Sequence, residues 1–208
     1  MKETKAEKKE QILNAAERLF SEHGFDATST RSIANEAEVN MAMLNYYFGS
    51  KDGLFRAVIE RRFTGFRERL FHINEENISP KEKVNLFIDL YVDKLMSNNC
   101  FHRLMNREVS LLQRSEMSEF ITDNILKNTL KIKEIIQDGI KSGEFRQVDV
   151  ELTVASMIGT SYYIINSTQL SSKLLQKDLT DQSIIDNEVK PRVKKHLKDL
   201  LDTHLKRI

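Results

Sequence analysis

Side chains with reactive chemistry are few in this chain and thinly grouped. His72 stands near Glu75 and Glu76, and the single cysteine, Cys100, stands two residues from His102. The first set could hold a cation or pass a proton; the second pairs a thiol with an imidazole. Neither has an orienting partner or a ligand spacing that recurs elsewhere, so neither builds a nucleophilic or metal centre. No glycine-rich loop cradles phosphates. A different chemistry is offered by Met41, Ala42, Met43, Asn45 and Tyr46. Leu44, Tyr47 and Phe48 recur at i, i+3 and i+4 and share one side of a helix, which leaves those five for the other side and its flanks. Two methionines and a tyrosine are odd choices for a face that meets only water.

The elements that must position this face lie between Thr28 and Leu54. Ile33, Ala34 and Ala37 give a first short helix a small apolar side. The pattern breaks at Glu38 and Val39, and Asn40 is a natural N-cap for the next helix. Two short helices joined by a tight turn describe a helix-turn-helix, whose second helix enters the DNA major groove. Upstream, Ile12, Leu13, Ala16, Leu19 and Phe20 follow the helical period from about Thr4 to His23. Gly24 ends that run as a C-terminal glycine should, and Phe25 can fold back on it. Thr28, Ser29 and Thr30 offer N-caps, so residues 1 to 48 read as a three-helix bundle. Ser50 then caps a helix from Lys51 to about His72, too long to belong to the bundle alone.

Composition sets the frame. The chain has 208 residues, 30% of them charged and 40% hydrophobic, with only two prolines and seven glycines. These values predict an ordered, all-α protein long enough to bury a core. One cysteine excludes an internal disulfide framework and a cysteine-rich zinc site, and fits a reducing compartment. The charged amino terminus is no signal peptide, and no stretch approaches a membrane span, so the expected location is cytoplasmic. Net charge is only +1, whereas a DNA-binding head is expected to show a basic footprint. Residues 1 to 50 hold six Lys or Arg against eight Asp or Glu. Any footprint must come from placement, with Lys2, Lys5, Lys8 and Lys9 before the motif and Lys51, Arg56, Arg61 and Arg62 after it.

Further along, Ser79, Pro80 and Glu82 form a capping box with proline at the first helical position, followed by Val84, Phe87, Ile88, Tyr91, Leu95 and Met96. Helices are expected from Phe101 to about Gln113, from Glu116 to about Ser142 with Gly143 closing it, and from Val150 to Ser167 with Asp149 as N-cap. Residues 168 to 188 are polar and irregular and read as a long loop with at most a helical turn. Pro191 opens a last helix carrying Val193, Leu197, Leu200, Leu201 and Leu205.

The stretch from Ile12 to Leu54 resembles the N-terminal domain of the TetR family of bacterial transcriptional regulators. The resemblance rests on A-x-x-L-F-x-x-x-G-F from Ala16 to Phe25, T-S-x-R-x-I-A from Thr28 to Ala34, and Y-Y-F-G-S-K from Tyr46 to Lys51. It implies a helix-turn-helix domain over 1–50, a connecting helix over 51–72 and an effector-binding and dimerisation domain over 73–208. It also implies that Met41, Ala42, Met43, Asn45 and Tyr46 face the groove, that Thr30 and Arg31 touch DNA from the start of the second helix, and that Tyr47 and Lys51 contact the DNA backbone. The chemistry agrees: Arg31 can donate twice to guanine, Asn45 can pair with adenine, and Ala42 or the methionines can pack on thymine methyls. Some positions depart from the common pattern. Glu38 replaces a turn glycine, so the turn is expected to form without a residue that favours positive φ; Met41, Ala42 and Met43 replace Lys, Gly and Thr; Asn45 replaces Tyr.

In the second domain, Phe66, Phe87, Tyr91, His102, Met105, Met117, Phe120 and Tyr162 are candidates to line a small-molecule pocket. Each is equally a candidate for plain core. Ala155 and Gly159 put small residues one turn apart, and with Val193, Leu197, Leu200 and Leu201 they could build a four-helix homodimer interface. The reading is therefore a non-enzymatic one-component regulator, a repressor in most of the family, that binds a partly palindromic DNA operator as a homodimer and is released by a ligand, with no cofactor or metal. A DNA-binding regulator governed by a protein partner or by no effector is the nearest alternative; a helical adaptor without DNA binding is the alternative of another class.

Overall fold

The computed structural model describes residues 4–97, 99–110 and 115–207. Among these there is no β-strand, only an isolated antiparallel bridge between Phe145 and Lys206. The helices are α1 (Lys5–His23), α2 (Thr30–Glu36), α3 (Met41–Phe48), α4 (Lys51–Glu75), α5 (Pro80–Ser97), α6 (Asn99–Ser110), α7 (Ser115–Lys141), α8 (Val150–Asn166), α9 (Thr168–Leu175), α10 (Gln182–Ile184) and α11 (Lys190–Leu205), with a π-helical turn over Ile185–Val189 between the last two. The end of the helix expected near Gln113 lies outside the described residues.

The boundaries follow from local chemistry. Thr4 and Glu7 close a capping box on α1, Ser29 caps α2, Asn40 caps α3 by accepting from the Met43 amide at 2.8 Å, and Asp149 caps α8. The Ser50 hydroxyl accepts the Gly53 amide at 3.0 Å at the start of α4. Ser79 and Glu82 make the reciprocal box of α5, and the hydrogen bonds from Ser79 hold the Glu82 carboxyl below the usual carboxylate range. Each satisfies amides that the first helical turn leaves without partners.

The chain divides into two compact units, Met1–Gly65 with Cys100–Asn124, and Phe66–Asn99 with Ile125–Ile208. This division differs from the one expected from the sequence, because side chains distant in sequence complete the first core. Phe101, Leu104, Met105, Met117 and Ile121 are buried with Ile12, Phe20, Ile33, Leu44, Phe55 and Ile59. Phe20, Phe25 and Phe55 form an aromatic cluster with ring centroids 4.9 to 5.6 Å apart. Truncating a side chain such as Phe55 to alanine would cost about 3–5 kcal/mol. The buried Thr28 hydroxyl lies 2.7 Å from the Gly24 carbonyl and 3.1 Å from that of Leu19. This fastens the link between α1 and α2, and gives a physical reason for threonine at the head of the T-S-x-R motif.

In the second unit α5, α8, α11 and the π-helical turn surround a core of Phe87, Ile88, Val92, Met96, Met157, Ile185, Val193, Leu197 and Leu201. Residues 168–188 are not the expected loop. They hold α9, α10 and most of the π-helical turn, because Leu179, Ile185 and Val189 insert into this core and the Gln182 side chain donates to the Met96 carbonyl. At the carboxyl end Arg146 donates to the Leu205 and His204 carbonyls, closing α11 onto the segment before α8.

Candidate nucleic-acid interface

The helix-turn-helix is built from two unlike turns. α2 ends with the Val39 amide donating to the Ala34 carbonyl at 3.0 Å and the Glu38 amide to that of Asn35 at 3.2 Å. That is the Schellman pattern, which needs a left-handed residue at the position Glu38 occupies. Glu38 adopts φ 51°. The turn therefore keeps the geometry glycine would serve and, as the sequence implies, makes it without a residue that favours positive φ. After α3, Gly49 has φ 72° and ψ −51°, and the Ser50 amide donates to the Phe48 carbonyl at 2.7 Å. This is a γ-turn of the rare, strained hand, and it directs the chain into α4.

Between these turns α3 presents its two sides as the period requires. Leu44 is fully buried, while Tyr47 and Phe48 are partly buried against the core. Ala42 and Asn45 are exposed, and Tyr46 is 75% exposed with its ring edge against Tyr47. Met41 and Met43 are half-buried, and Met41 packs on the core rather than standing free on the outer face. The open surface is thus Ala42, Asn45 and Tyr46, with Met43 at its edge. From α2, Arg31 is exposed and Thr30 half-buried. Tyr47 and Lys51 hold internal partners: the Tyr47 hydroxyl donates to the Lys5 carbonyl at 3.1 Å, and the Lys51 ammonium donates to the Asp26 carbonyl at 3.2 Å while lying 4.3 Å from the Phe25 ring centroid. Lys51 also stands in the first turn of α4, where the helix dipole favours an anion.

Four arginines of this unit are matched by its own carboxylates. Glu17 bridges Arg61 and Arg62, and Arg61 also reaches Glu10. Burial alone would raise the Glu17 carboxyl; the charge and hydrogen bond of Arg62, followed by those of Arg61, outweigh it and hold the group below its ordinary range. Arg18 pairs with Glu36 and Glu22, and Arg56 with Glu116. The basic residues after the motif therefore do not form the surplus that their positions in the sequence allowed. The side-chain rows of α1 and the end of α2 also border a groove of about 510 Å³ lined by Lys8, Gln11, Asn14, Arg18, Glu36 and Glu38.

The pocket candidates divide between the two units. Met105 and Met117 are buried in the core of the first, Phe120 packs against it, and His102 is half-buried. Phe66 and Phe87 are buried in the second, with Phe87 stacked on Tyr91 at 5.8 Å and edge-on to Phe66 at 6.4 Å. Burial, and secondarily the neighbouring Tyr162, push the Tyr91 phenol well above its ordinary value. Tyr162 itself is 40% exposed. The side chain of Cys100 lies outside the described residues.

The interface candidates also separate. Val193, Leu197 and Leu201 are buried in the core of the second unit, because that stripe of α11 faces inward. Leu200 points outward, and on α8 the residues Leu152, Ala155, Ser156, Gly159, Tyr162 and Tyr163 share one exposed face. Among the described residues no group of three or more His, Cys, Asp or Glu is placed to hold a metal ion, and no helix is long and apolar enough to cross a membrane.

Comparison with known proteins decides the family. Residues 12–58 match the model of bacterial regulatory proteins of the tetR family, and residues 80–190 match that of the tetracyclin repressor-like C-terminal domain. The chain belongs to the TetR family. TetR-family proteins are transcriptional regulators rather than enzymes, and DNA is the partner of their helix-turn-helix. Similar family members include the probable HTH-type transcriptional regulator YttP of Bacillus subtilis, 29% identical over 68% of this chain and 69% of that protein. The fatty acid metabolism regulator protein of the same species is 29% identical over 72% and 77%. Among solved structures, the regulator FadR from Bacillus subtilis in complex with stearoyl-CoA superposes with a TM-score of 0.70 at 23% identity, covering 90% of this chain and 96% of that one. FadR from Bacillus halodurans superposes with a TM-score of 0.72 at 19% identity, covering 95% and 97%. These superpositions establish the TetR-like fold.

Proposed function

We propose that this TetR-family regulator is a homodimeric cytoplasmic repressor whose operator binding is released by a small molecule in its second unit. The observation that carries the DNA half is the outer face of α3, where Asn45 and Tyr46 stand open to solvent between the two constrained turns. Asn45 offers the donor and acceptor pair that matches adenine in the major groove. Thr30, Arg31, Ala42 and Met43 border the same readout surface, and Tyr47 and Lys51 serve phosphates. For Lys51, DNA binding exchanges the Asp26 carbonyl for a phosphate oxygen; Tyr47 keeps its bond to the Lys5 carbonyl and serves the backbone through the first turn of α1.

The dimer half rests on the exposed apolar face of α8 together with Leu200 of α11. Small residues at Ala155 and Gly159 allow close approach of a symmetry-related α8, and no Cβ clash is met at Gly159. Two such heads would suit half-sites about 34 to 36 Å apart. The effector half is supported by the Phe66, Phe87 and Tyr91 ladder, packed core of the aromatic composition a ligand site uses, with a phenol at one end. An acyl thioester, the ligand class in the FadR stearoyl-CoA complex, is the first to test.

Gel shift of the DNA upstream of the protein's own coding region tests the reading. Salt-sensitive binding, lost on adding a long-chain acyl-CoA that also raises the melting temperature, is the expected result. Binding unaffected by any ligand would instead favour control by a partner protein, and absence of salt-sensitive binding would sink the regulator reading. Leu200→Glu is expected to yield a monomer with a folded second unit.

A further inference from the structure

The mismatch between a near-neutral head and a polyanionic partner leaves a question of which cations meet the phosphates. Arg18, Arg56, Arg61 and Arg62 are held by carboxylates of the same unit. Among the described residues no carboxylate pairs with Lys5, Lys9 or Arg31, and all three are exposed. Arg31 belongs to the readout surface already described; Lys5 and Lys9 do not.

Their place on α1 is fixed by helical geometry. At 100° per residue, Lys5 and Lys9 continue the stripe of Ile12, Leu13, Ala16 and Phe20, the stripe that faces the core. They are exposed because the core ends before them, so they project on the inner side of α1 beyond the last buried turn. The Tyr47 hydroxyl, donating to the Lys5 carbonyl at 3.1 Å, ties this first turn of α1 to α3. The backbone that carries the first of the two lysines is thereby tied to the recognition helix, with the second one turn further along the same face.

We propose that Lys5 and Lys9 extend the DNA interface as phosphate contacts, with Tyr47 as the positioning residue that sets their distance from α3. The proposal rests on the DNA-binding reading of α3. The occupant is duplex DNA, because the first turn of α1 is tied to α3 and the pair carries positive charge that Arg18, Arg56, Arg61 and Arg62, held by carboxylates, do not offer.

The test is the salt dependence of binding to a short mixed-sequence duplex, on which phosphate contacts act without base readout. Each phosphate contact contributes about 0.9 to the slope of log K against log salt. Per subunit, Lys5→Ala with Lys9→Ala is expected to lower that slope by about 1.8, and arginine at both positions to retain it. These are exposed helical positions where alanine folds well, so an unchanged melting curve accompanies the loss. Tyr47→Phe is expected to lower the slope in the unaltered background and to have no further effect in the double alanine variant. An unchanged slope in the double variant, with the unaltered protein binding in a salt-sensitive way, overturns the proposal alone. Equal effects of Tyr47→Phe in both backgrounds overturn the positioning role and make its hydroxyl a contact in its own right. A protein that shows no salt-sensitive binding before any substitution overturns the DNA-binding reading itself.

Discussion

Replacing Glu38 by glycine is expected to make the protein more stable. Glu38 holds φ 51° at the left-handed position of the Schellman turn between α2 and α3. A side chain in that region disfavours the backbone by about 1–2 kcal/mol, whereas glycine adopts it freely. Glycine also gives the unfolded chain more freedom to lose, which offsets up to about 1 kcal/mol. The net expectation is a gain of about 1 kcal/mol, or about 2–4 °C in melting temperature for a chain of this size. Glu38→Ala is the control, because it removes the carboxylate and keeps the Cβ that causes the strain. Thermal and urea melts of the three proteins at one pH give the comparison. If the glycine variant is no more stable than the alanine variant, the strain argument is refuted and the turn is held by something other than the left-handed backbone. Gln176, with φ 56° at the end of α9, is a second site where glycine should help for the same reason.

Other expectations follow from neighbouring features. Gly49→Ala is expected to lose about 1–2 kcal/mol in a denaturant melt. Its φ is 72° and no atom lies within 4 Å of an added Cβ, so the loss measures backbone conformation alone. Gly139→Ala would bring a methyl within 2.2 Å of the Phe145 ring, and the overpacking is expected to cost about 1–3 kcal/mol, visible as a lower urea midpoint. The folded Glu17 carboxyl lies below its ordinary 4.5, so its pairing with Arg61 and Arg62 stabilises fully above that value and is lost as pH falls through the folded one. Urea midpoints measured downward from about pH 6 should fall less steeply in Glu17→Gln than in the unaltered protein. Asn45→Ala should relax preference at one base pair, by about 1–3 kcal/mol if the contact is bidentate, while Lys51→Ala should weaken all sequences alike. Equal, sequence-independent losses would place Asn45 off the readout face.

The parts of the molecule set by neighbouring residues were readable in advance. Asn40, Ser50, Ser79 and Asp149 start their helices where their short polar side chains said they should, because a cap is a contract among four consecutive residues. The burial of Leu44 and the exposure of Asn45 followed from the helical period. At Glu38 the sequence shows that no glycine serves the turn, but not that the backbone takes positive φ there all the same, because the two flanking helices impose a conformation that the residue's own preference opposes. Residues 168–188 read as loop because their apolar residues are sparse, and only the core that holds Met96 and Ile165 gives Leu179 and Ile185 a place to be buried. The stripe on α11 was visible, but whether Val193 or Leu200 faces the core depends on where α5 and α8 lie. The same holds for charge: no count of lysines and arginines reveals that Glu17 takes up two of the arginines.

That internal neutralisation has a consequence for how the protein finds its sites. Retention on random DNA scales with the number of phosphates neutralised, and Arg18, Arg56, Arg61 and Arg62, engaged with carboxylates of their own unit, are withdrawn from that purpose. Each arginine so withdrawn weakens the hold on non-target DNA and shifts the search away from sliding and toward diffusion through solution. The chromosome then acts as a shallow reservoir. Operator occupancy would follow the number of copies in the cell closely, and modest changes in expression would be felt directly at the promoter.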